Sequence, residues 1–232
     1  MWEIGKEGPI TRCTSAFAPP PDSEKVYRVA RAGDGLWRPL RDVRHNLEAE
    51  LDAFVGREQE LQLLARRLDA GARLVSVLGP GGSGKTRFVR RYAWTWLGDW
   101  PGGVCFCDLS EARSLDGILG AVAVALDVPL SGADPAAQIG HAIAARGRCL
   151  VVLDNFEQVL RDAAATVGRW AGRAGEAAFV VTSRERLHLE GEEVFALEPL
   201  ALADDAVALF QVRAAAQRPG FALTDANRAA AA

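Results

Sequence analysis

Short apolar runs alternate with amphipathic stretches from residue 54 to residue 217 of this 232-residue chain. Five of the runs contain almost no polar residue, which is typical of strands buried on both faces of a parallel sheet. The predicted strands are Leu74–Leu78, Val104–Leu109, Cys149–Leu153, Phe179–Thr182 and Val194–Leu197. We therefore predict an α/β fold with a five-stranded parallel sheet and helices on both faces.

Amphipathic spacing predicts the helices between these strands. Over Glu58–Asp69 the apolar residues recur three and four positions apart, and Gly71 follows as a stop signal. Asp134 and Pro135 are typical of a helix cap and a first helical residue. The other predicted helices cover residues 85–97, 115–126, 156–167 and 204–217.

Composition divides the chain into three segments. Residues 1–50 hold a proline run and one strand-like stretch, Val26–Val29, followed by a polar connection through Trp37, and we predict a flexible lead-in and linker. Residues 51–202 hold the predicted sheet. Residues 203–232 begin a helical subdomain, which we expect to be cut short because the last helix has no stop signal.

The overall charge gives no support for binding to nucleic acid or to membranes. The chain is 49% hydrophobic and 25% charged with a net charge of −3, an ordinary globular balance. No apolar stretch reaches the about 18–20 residues of a membrane span, and charged residues occupy the place of a signal sequence. We expect a cytoplasmic protein in which Cys105, Cys107 and Cys149 are small buried residues in a reducing compartment.

One motif carries specific chemistry, because it matches the P-loop pattern G-x-x-x-x-G-K-[ST] between a predicted strand and a predicted helix. Its residues are Gly79, Pro80, Gly81, Gly82, Ser83, Gly84, Lys85 and Thr86, and we extend the phosphate-binding set to Arg87. Glycine N–H groups and the helix N-terminus bind an anion. Lys85, one of only three lysines among 27 basic residues, supplies an ammonium for the β- and γ-phosphates. The sequence therefore predicts that residues 51–202 are a P-loop domain that binds ATP or ADP with Mg²⁺.

The predicted magnesium ligands are Thr86 and Asp154. Four apolar residues precede Asp154 at the carboxyl end of a predicted strand, as in a Walker B motif. ATPases of the additional-strand type usually place a second acid directly after it, but this chain has Asn155. The nearest acid is Glu157, which is either a favourable charge in the first helical turn or the group that polarises the attacking water. We expect slow hydrolysis with Glu157 in the catalytic role.

Arg184 follows the fourth predicted strand and completes the candidate catalytic residues with Lys85, Asp154 and Glu157. An arginine at this edge of the sheet is able to contact the γ-phosphate. The alternative is an ordinary surface arginine in an arginine-rich chain.

In this order the motifs resemble the STAND class of signal-transduction P-loop ATPases, relatives of NB-ARC modules and AAA+ proteins that occur in bacterial transcription regulators. The resemblance covers residues 53–222 and also rests on three segments, Phe54–Glu58, Thr182–Leu187 and Leu197–Leu200. Residues 25–47 are similar to the junction that follows class III nucleotide cyclase domains in cyclase–ATPase fusions. In such relatives a helical lid and a winged helix would be expected beyond residue 232.

This resemblance implies an ATP/ADP switch. Val55, Gly56 and Arg57 would lie near the adenine and ribose, Arg184 would act as sensor 1, and bound ADP would hold the resting form. It also allows self-association through the ATPase domain in the intact protein.

The leading interpretation is thus a regulatory ATP-binding module with weak ATPase activity in a signalling or transcription-regulatory protein. A P-loop kinase acting on a small molecule or nucleotide is the alternative, and it would need an acceptor pocket and an arginine-bearing lid. A truncated remnant that only binds nucleotide is the third.

Overall fold

The computed structural model describes residues 43–50 and 54–199, the backbone of four short strands before them, and positions 211 and 214, both helical. The four strands pair antiparallel as two hairpins, β1 (Trp2–Glu3) with β2 (Arg12–Cys13) and β3 (Arg28–Arg31) with β4 (Trp37–Leu40). The prediction of a polar connection through Trp37 was wrong, because a hairpin strand tolerates Pro39 where a central strand would not. Apart from those two positions, the predicted helix 204–217 lies outside the described residues.

The predicted five-stranded parallel sheet is confirmed. Its strands are β5 (Leu74–Leu78), β6 (Val104–Asp108), β7 (Leu150–Asp154), β8 (Ala178–Ser183) and β9 (Glu192–Ala196). They lie in the order β6-β7-β8-β5-β9, and every neighbouring pair is parallel. One strand, β8, therefore separates β5, which leads into the P-loop, from β7, which ends at Asp154.

The helices follow the predicted spacing closely. They are α1 (Glu58–Asp69), α2 (Lys85–Thr95), α3 (Leu115–Leu126), α4 (Pro135–Ala144) and α5 (Arg169–Arg173). α2 ends two residues before its predicted end, and a 3₁₀ turn, Leu97–Asp99, follows. α4 begins as predicted, with Oδ1 of Asp134 accepting the N–H of Ala137 at 3.0 Å. None of the described helices is long and apolar enough to cross a membrane.

Two apolar cores lie on opposite faces of the sheet, since successive strand side chains point to opposite sides. Val75 and Val77 pack with α1 and α2 on one face, whereas Val151 and Leu153 pack with α3 and α4 on the other. The three cysteines predicted to be buried in the apolar runs are indeed buried, and Cys105 and Cys107 lie in the second core.

The chain after β7 departs from the regular helix predicted over residues 156–167. A 3₁₀ segment, Phe156–Asp162, is followed by a π-helical turn, Ala164–Gly168, before α5 begins. The hydroxyl of Thr166 donates to the carbonyl of Asp162 at 2.7 Å, which competes with regular helical bonding. Wider turns of this kind shift the register of the buried side chains. Trp170 is thereby fully buried, with Nε1 donating to the carbonyl of Ala136 at 2.9 Å.

Residues 43–50, the last part of the predicted linker, pack along the edge of β6. The side chain of Asn46 accepts from the N–H of Phe106 and donates to its carbonyl, each at 2.7 Å, as a neighbouring strand would. Leu47 is buried in the core of α1 and α2. Glu48 then forms an ion pair with Arg90 of α2 at 2.8 Å. This part of the predicted linker therefore contacts the domain.

Candidate functional site

The P-loop joins β5 to α2 and depends on glycines for its shape. A Cβ atom on Gly79 would lie 2.5 Å from the carbonyl oxygen of Leu197 and 2.7 Å from Oγ of Ser83. Gly82 and Gly84 have φ angles of 81° and 86°, which side chains rarely allow. The loop thus has the tight, glycine-dependent backbone of a phosphate cradle.

Lys85 begins α2 and turns its side chain back into this loop. Its Nζ atom donates to the carbonyls of Gly79 at 2.8 Å and Pro80 at 3.1 Å, and the residue is buried. The ammonium group is therefore fixed where an anion held by the loop would meet it.

Thr86 and Asp154 are brought together from α2 and β7. The hydroxyl of Thr86 donates to Oδ1 of Asp154 at 3.1 Å, and that of Thr182 on β8 donates to the same oxygen at 2.6 Å. Burial raises the pKa of Asp154, against the effect of these two hydrogen bonds. Hydroxyl and carboxylate oxygens are the ligands that Mg²⁺ prefers, so this donor set fits the ion.

A second carboxylate, Asp108, lies beside Asp154 and was missed by the sequence analysis. The register of β6 and β7 pairs the two aspartates at the carboxyl ends of their strands. Nδ2 of Asn155 bridges them, donating to Oδ1 of Asp108 at 3.0 Å and to Oδ2 of Asp154 at 3.2 Å. Burial opposes ionisation of Asp108, but hydrogen bonds from Ser110 and Asn155 outweigh it and lower its pKa. The sequence signal that could have identified Asp108 is its place at the end of a buried strand, the same place that Asp154 has in β7.

Glu157 and Arg184 form an ion pair next to the P-loop. Nε of Arg184 lies 3.4 Å from Oε1 of Glu157. The Glu157 side chain is 16% exposed, and its Oε2 is buried without a hydrogen-bond partner. A Cβ atom on Gly81 would lie 3.4 Å from Nη2 of Arg184. Both predicted catalytic residues therefore lie beside the loop, with their charges directed at each other.

Two cavities flank the P-loop and share Gly81, Gly82, Gly84 and Arg87 as lining residues. The larger, of about 620 Å³, is also lined by Glu48, Lys85, Thr86, Arg90, Asn155, Glu157 and Arg184. The smaller, of about 350 Å³, is also lined by Phe54, Val55, Arg57, Ser83, Phe88 and Pro199. The polar cavity thus lies on the lysine side of the loop, and the more apolar one lies beside the segment that precedes α1.

Arg57, predicted to lie near a nucleotide base, binds the loop itself. The residue is buried with a φ angle of 67°, and Nη2 donates to the carbonyls of Ser83 at 3.1 Å and Glu198 at 2.6 Å. Its guanidinium thereby ties the P-loop to the chain that leaves β9. Val55 lines the same cavity, and Gly56 adopts a φ angle of 73° between the two.

Comparisons with known proteins agree with this geometry. Residues 65–172 match the model of the AAA domain family. The chain is 32% identical over 181 residues to an uncharacterized protein of Mycobacterium tuberculosis, covering 78% of this chain and 46% of that protein. A second M. tuberculosis protein, named "Putative HTH-type transcriptional regulator", is 33% identical over 165 residues, which cover 71% of this chain and 18% of that protein.

Among solved structures, Cdc6p from Pyrobaculum aerophilum matches with a TM-score of 0.53 at 20% identity, covering 74% of this chain and 52% of that one. This likeness shows a shared fold. The chain spans less than half the length of the two curated relatives described above.

Proposed function

We propose that this chain carries an AAA-type P-loop ATPase domain, which binds ATP and ADP and acts as a regulatory switch with slow, Mg²⁺-dependent hydrolysis; the match of residues 65–172 to the AAA domain model supports this proposal. One observation carries this proposal. The sheet order brings the lysine-bearing loop and the hydrogen-bonded Thr86–Asp154 pair to the same edge of the sheet. Ligands of open parallel sheets bind at this edge.

In this proposal the residues Gly79–Arg87 hold the phosphate groups, with Lys85 opposite the β- and γ-phosphates. Thr86 and Asp154 hold Mg²⁺, which when bound neutralises phosphate charge during transfer. The smaller cavity takes the adenine, because Phe54, Val55 and Phe88 give it apolar walls. Arg57 also lines this cavity and holds the P-loop through the carbonyl of Ser83, and Gly56 lies next to it in the chain.

Hydrolysis transfers the γ-phosphoryl group to water, ADP leaves, and Glu157 takes the proton. We propose Glu157 because it lines the polar cavity and Asn155 cannot accept a proton. Arg184 pairs with Glu157 at 3.4 Å, and in this proposal it would contact the γ-phosphate.

The regulatory part of the proposal concerns the intact protein. It is supported by the resemblance to STAND ATPases and by the 33% identity to a relative whose name describes an HTH-type transcriptional regulator. In this setting bound ADP holds the resting form, the protein is cytoplasmic, and ATP favours self-association through the ATPase domain. The chain itself supplies the nucleotide site and makes no direct contact with nucleic acid.

Phosphate release from ATP tests the proposal and separates it from a kinase. We expect slow, Mg²⁺-dependent release of phosphate that needs no added acceptor. Thr86→Ala and Asp154→Asn should each abolish this release, whereas Arg66→Ala, an exposed arginine on α1, should leave it unchanged. Phosphate transfer to an added sugar, nucleoside or nucleotide instead of water would contradict the proposal.

A further inference from the structure

Asn155 occupies the position at which an acid was expected, and both its backbone and its side-chain amide are hydrogen-bonded. Its backbone N–H donates to Oγ1 of Thr182 at 2.9 Å, and its φ angle is 62°. Nδ2 reaches Asp108 at 3.0 Å and Asp154 at 3.2 Å. The aspartates that end β6 and β7 therefore orient the side-chain amide, whereas β8 holds the backbone of Asn155.

The chemistry of the neighbours decides which end of the amide faces the cavity. An asparagine side chain has two N–H donors on Nδ2 and an acceptor on Oδ1. Carboxylates only accept, so Asp108 and Asp154 together take both N–H donors. With Nδ2 turned to the two aspartates, Oδ1 is the other end of the Asn155 amide, and Asn155 lines the cavity that also contains Lys85 and Glu157. The group left for the cavity is an oxygen acceptor, as a carboxylate would be.

We propose that Asp108 is a positioning residue for ATP hydrolysis, which acts by holding Nδ2 of Asn155 so that Oδ1 accepts a hydrogen bond from the attacking water. This inference rests on the proposed function. Asn155 orients the water through its oxygen but takes no proton, which passes to Glu157 as above. Asp108 and Asn155 together thus offer the attacking water an oxygen acceptor where the missing acid would stand, but they do not offer a base.

Asp108 is suited to this role by its place in the fold. It ends the strand next to β7, and its carboxylate also accepts the N–H of Ser110 at 2.9 Å, which fixes its own orientation. Without Asp108, only Asp154 would hold the amide. Asp154 is also the proposed magnesium ligand, so with the ion bound Asp108 would be the carboxylate that still holds the amide.

The test is a double-mutant cycle on Asp108 and Asn155 in the full chain. Asp108→Asn leaves two amides facing each other, so either end of Asn155 can face the cavity. We expect kcat for phosphate release to fall about tenfold, with KM for ATP and Kd for MgADP changed less than about twofold. Asn155→Ala should lower kcat to the same extent, and Asp108→Asn added to Asn155→Ala should cause no further fall.

A structural role for Asp108 would give a different result. It would lower the melting temperature and the affinity for MgADP together with kcat, and its effect would persist in the Asn155→Ala background. Either that pattern or an unchanged kcat in Asp108→Asn would overturn the inference, but neither would contradict the proposal that the unaltered chain binds and hydrolyses ATP. If the unaltered chain binds no nucleotide, the proposed function itself fails. If it binds ATP but releases no phosphate, only hydrolysis and this inference fail. Asp116→Asn, which removes an exposed carboxylate on α3, is the matched control and should change neither kcat nor Kd.

Discussion

Arg57 gives a quantitative test of how the P-loop is held in place. Its Nη2 atom donates to the carbonyls of Ser83 and Glu198, and its Nη1 atom lies 3.4 Å from the Glu60 carboxylate. Replacing Arg57 by alanine removes both carbonyl contacts and leaves the P-loop without its tie to the chain after β9. We therefore expect the loss to appear in the protein without nucleotide.

The magnitude follows from the contacts. A hydrogen bond from a charged donor contributes about 1.5–3 kcal/mol, so two of them near the lower end give a loss of about 3 kcal/mol. The ion pair with the half-exposed Glu60 adds at most about 1 kcal/mol. The left-handed backbone at this position disfavours alanine as well as arginine, so it does not change the comparison.

Urea unfolding of Arg57→Ala without nucleotide measures this loss, and Arg66→Ala, an exposed arginine on α1, is the control for removing a positive charge. The control should change the free energy of unfolding by less than about 0.5 kcal/mol. A loss below about 1 kcal/mol in Arg57→Ala, combined with much weaker ADP binding, would refute the reasoning. It would mean that the guanidinium serves the nucleotide instead of the loop.

Three further predictions concern the described fold. Asn46→Ala removes both hydrogen bonds to the edge of β6 and should lower the free energy of unfolding, measured in urea, by about 1–3 kcal/mol. An unchanged free energy would show that residues 43–50 do not pack against β6. Gly79→Ala should destabilise the protein by at least about 2 kcal/mol, because its Cβ would lie 2.5 Å from the carbonyl oxygen of Leu197. Its control is Gly120→Ala in α3, where nothing lies within 4 Å of the added Cβ and the protein should gain about 0.5 kcal/mol of stability. Glu192→Gln should destabilise the protein at neutral pH, because the backbone N–H groups of Leu187 and His188 donate to the Glu192 carboxylate at 2.9 and 2.8 Å, and hydrogen bonding to the carboxylate outweighs burial and lowers the pKa of Glu192. That stabilisation is complete above the ordinary glutamate pKa of 4.5 and is lost as the pH falls through the lowered value, so the two proteins should converge in acid.

The elements with a local signature could be predicted from the sequence. α1 begins and ends at the predicted residues because its apolar stripe and Gly71 lie within one segment. The P-loop is equally local, since its glycines, lysine and threonine are consecutive. The irregular chain after β7 was not predicted, because the apolar residues from Phe156 to Val167 are spaced as in a regular helix. The structure has a 3₁₀ segment followed by a π-helical turn, in which Thr166 bonds to Asp162 and after which Trp170 packs into the core.

Contacts between distant segments could not be predicted in the same way. Asp108 meets Asp154 only because β6 and β7 are neighbours in that register. The docking of Asn46 depends on β6 being an edge strand, and the contact of Arg57 with Ser83 depends on where the chain leaves β9. Sequence spacing identifies such residues as polar or charged, but the strand order determines their partners.

Nucleotide binding, on which the proposed function depends, is measured by isothermal titration of the full chain with ADP, with and without Mg²⁺. We expect saturable binding of one ADP, which Lys85→Ala should abolish and Arg66→Ala should leave unchanged. Lys85 is chosen because its ammonium lies inside the loop, 2.8 Å from the Gly79 carbonyl. A folded protein that binds neither ADP nor ATP, or a Lys85→Ala variant that binds ADP as tightly as the unaltered chain, would contradict the account.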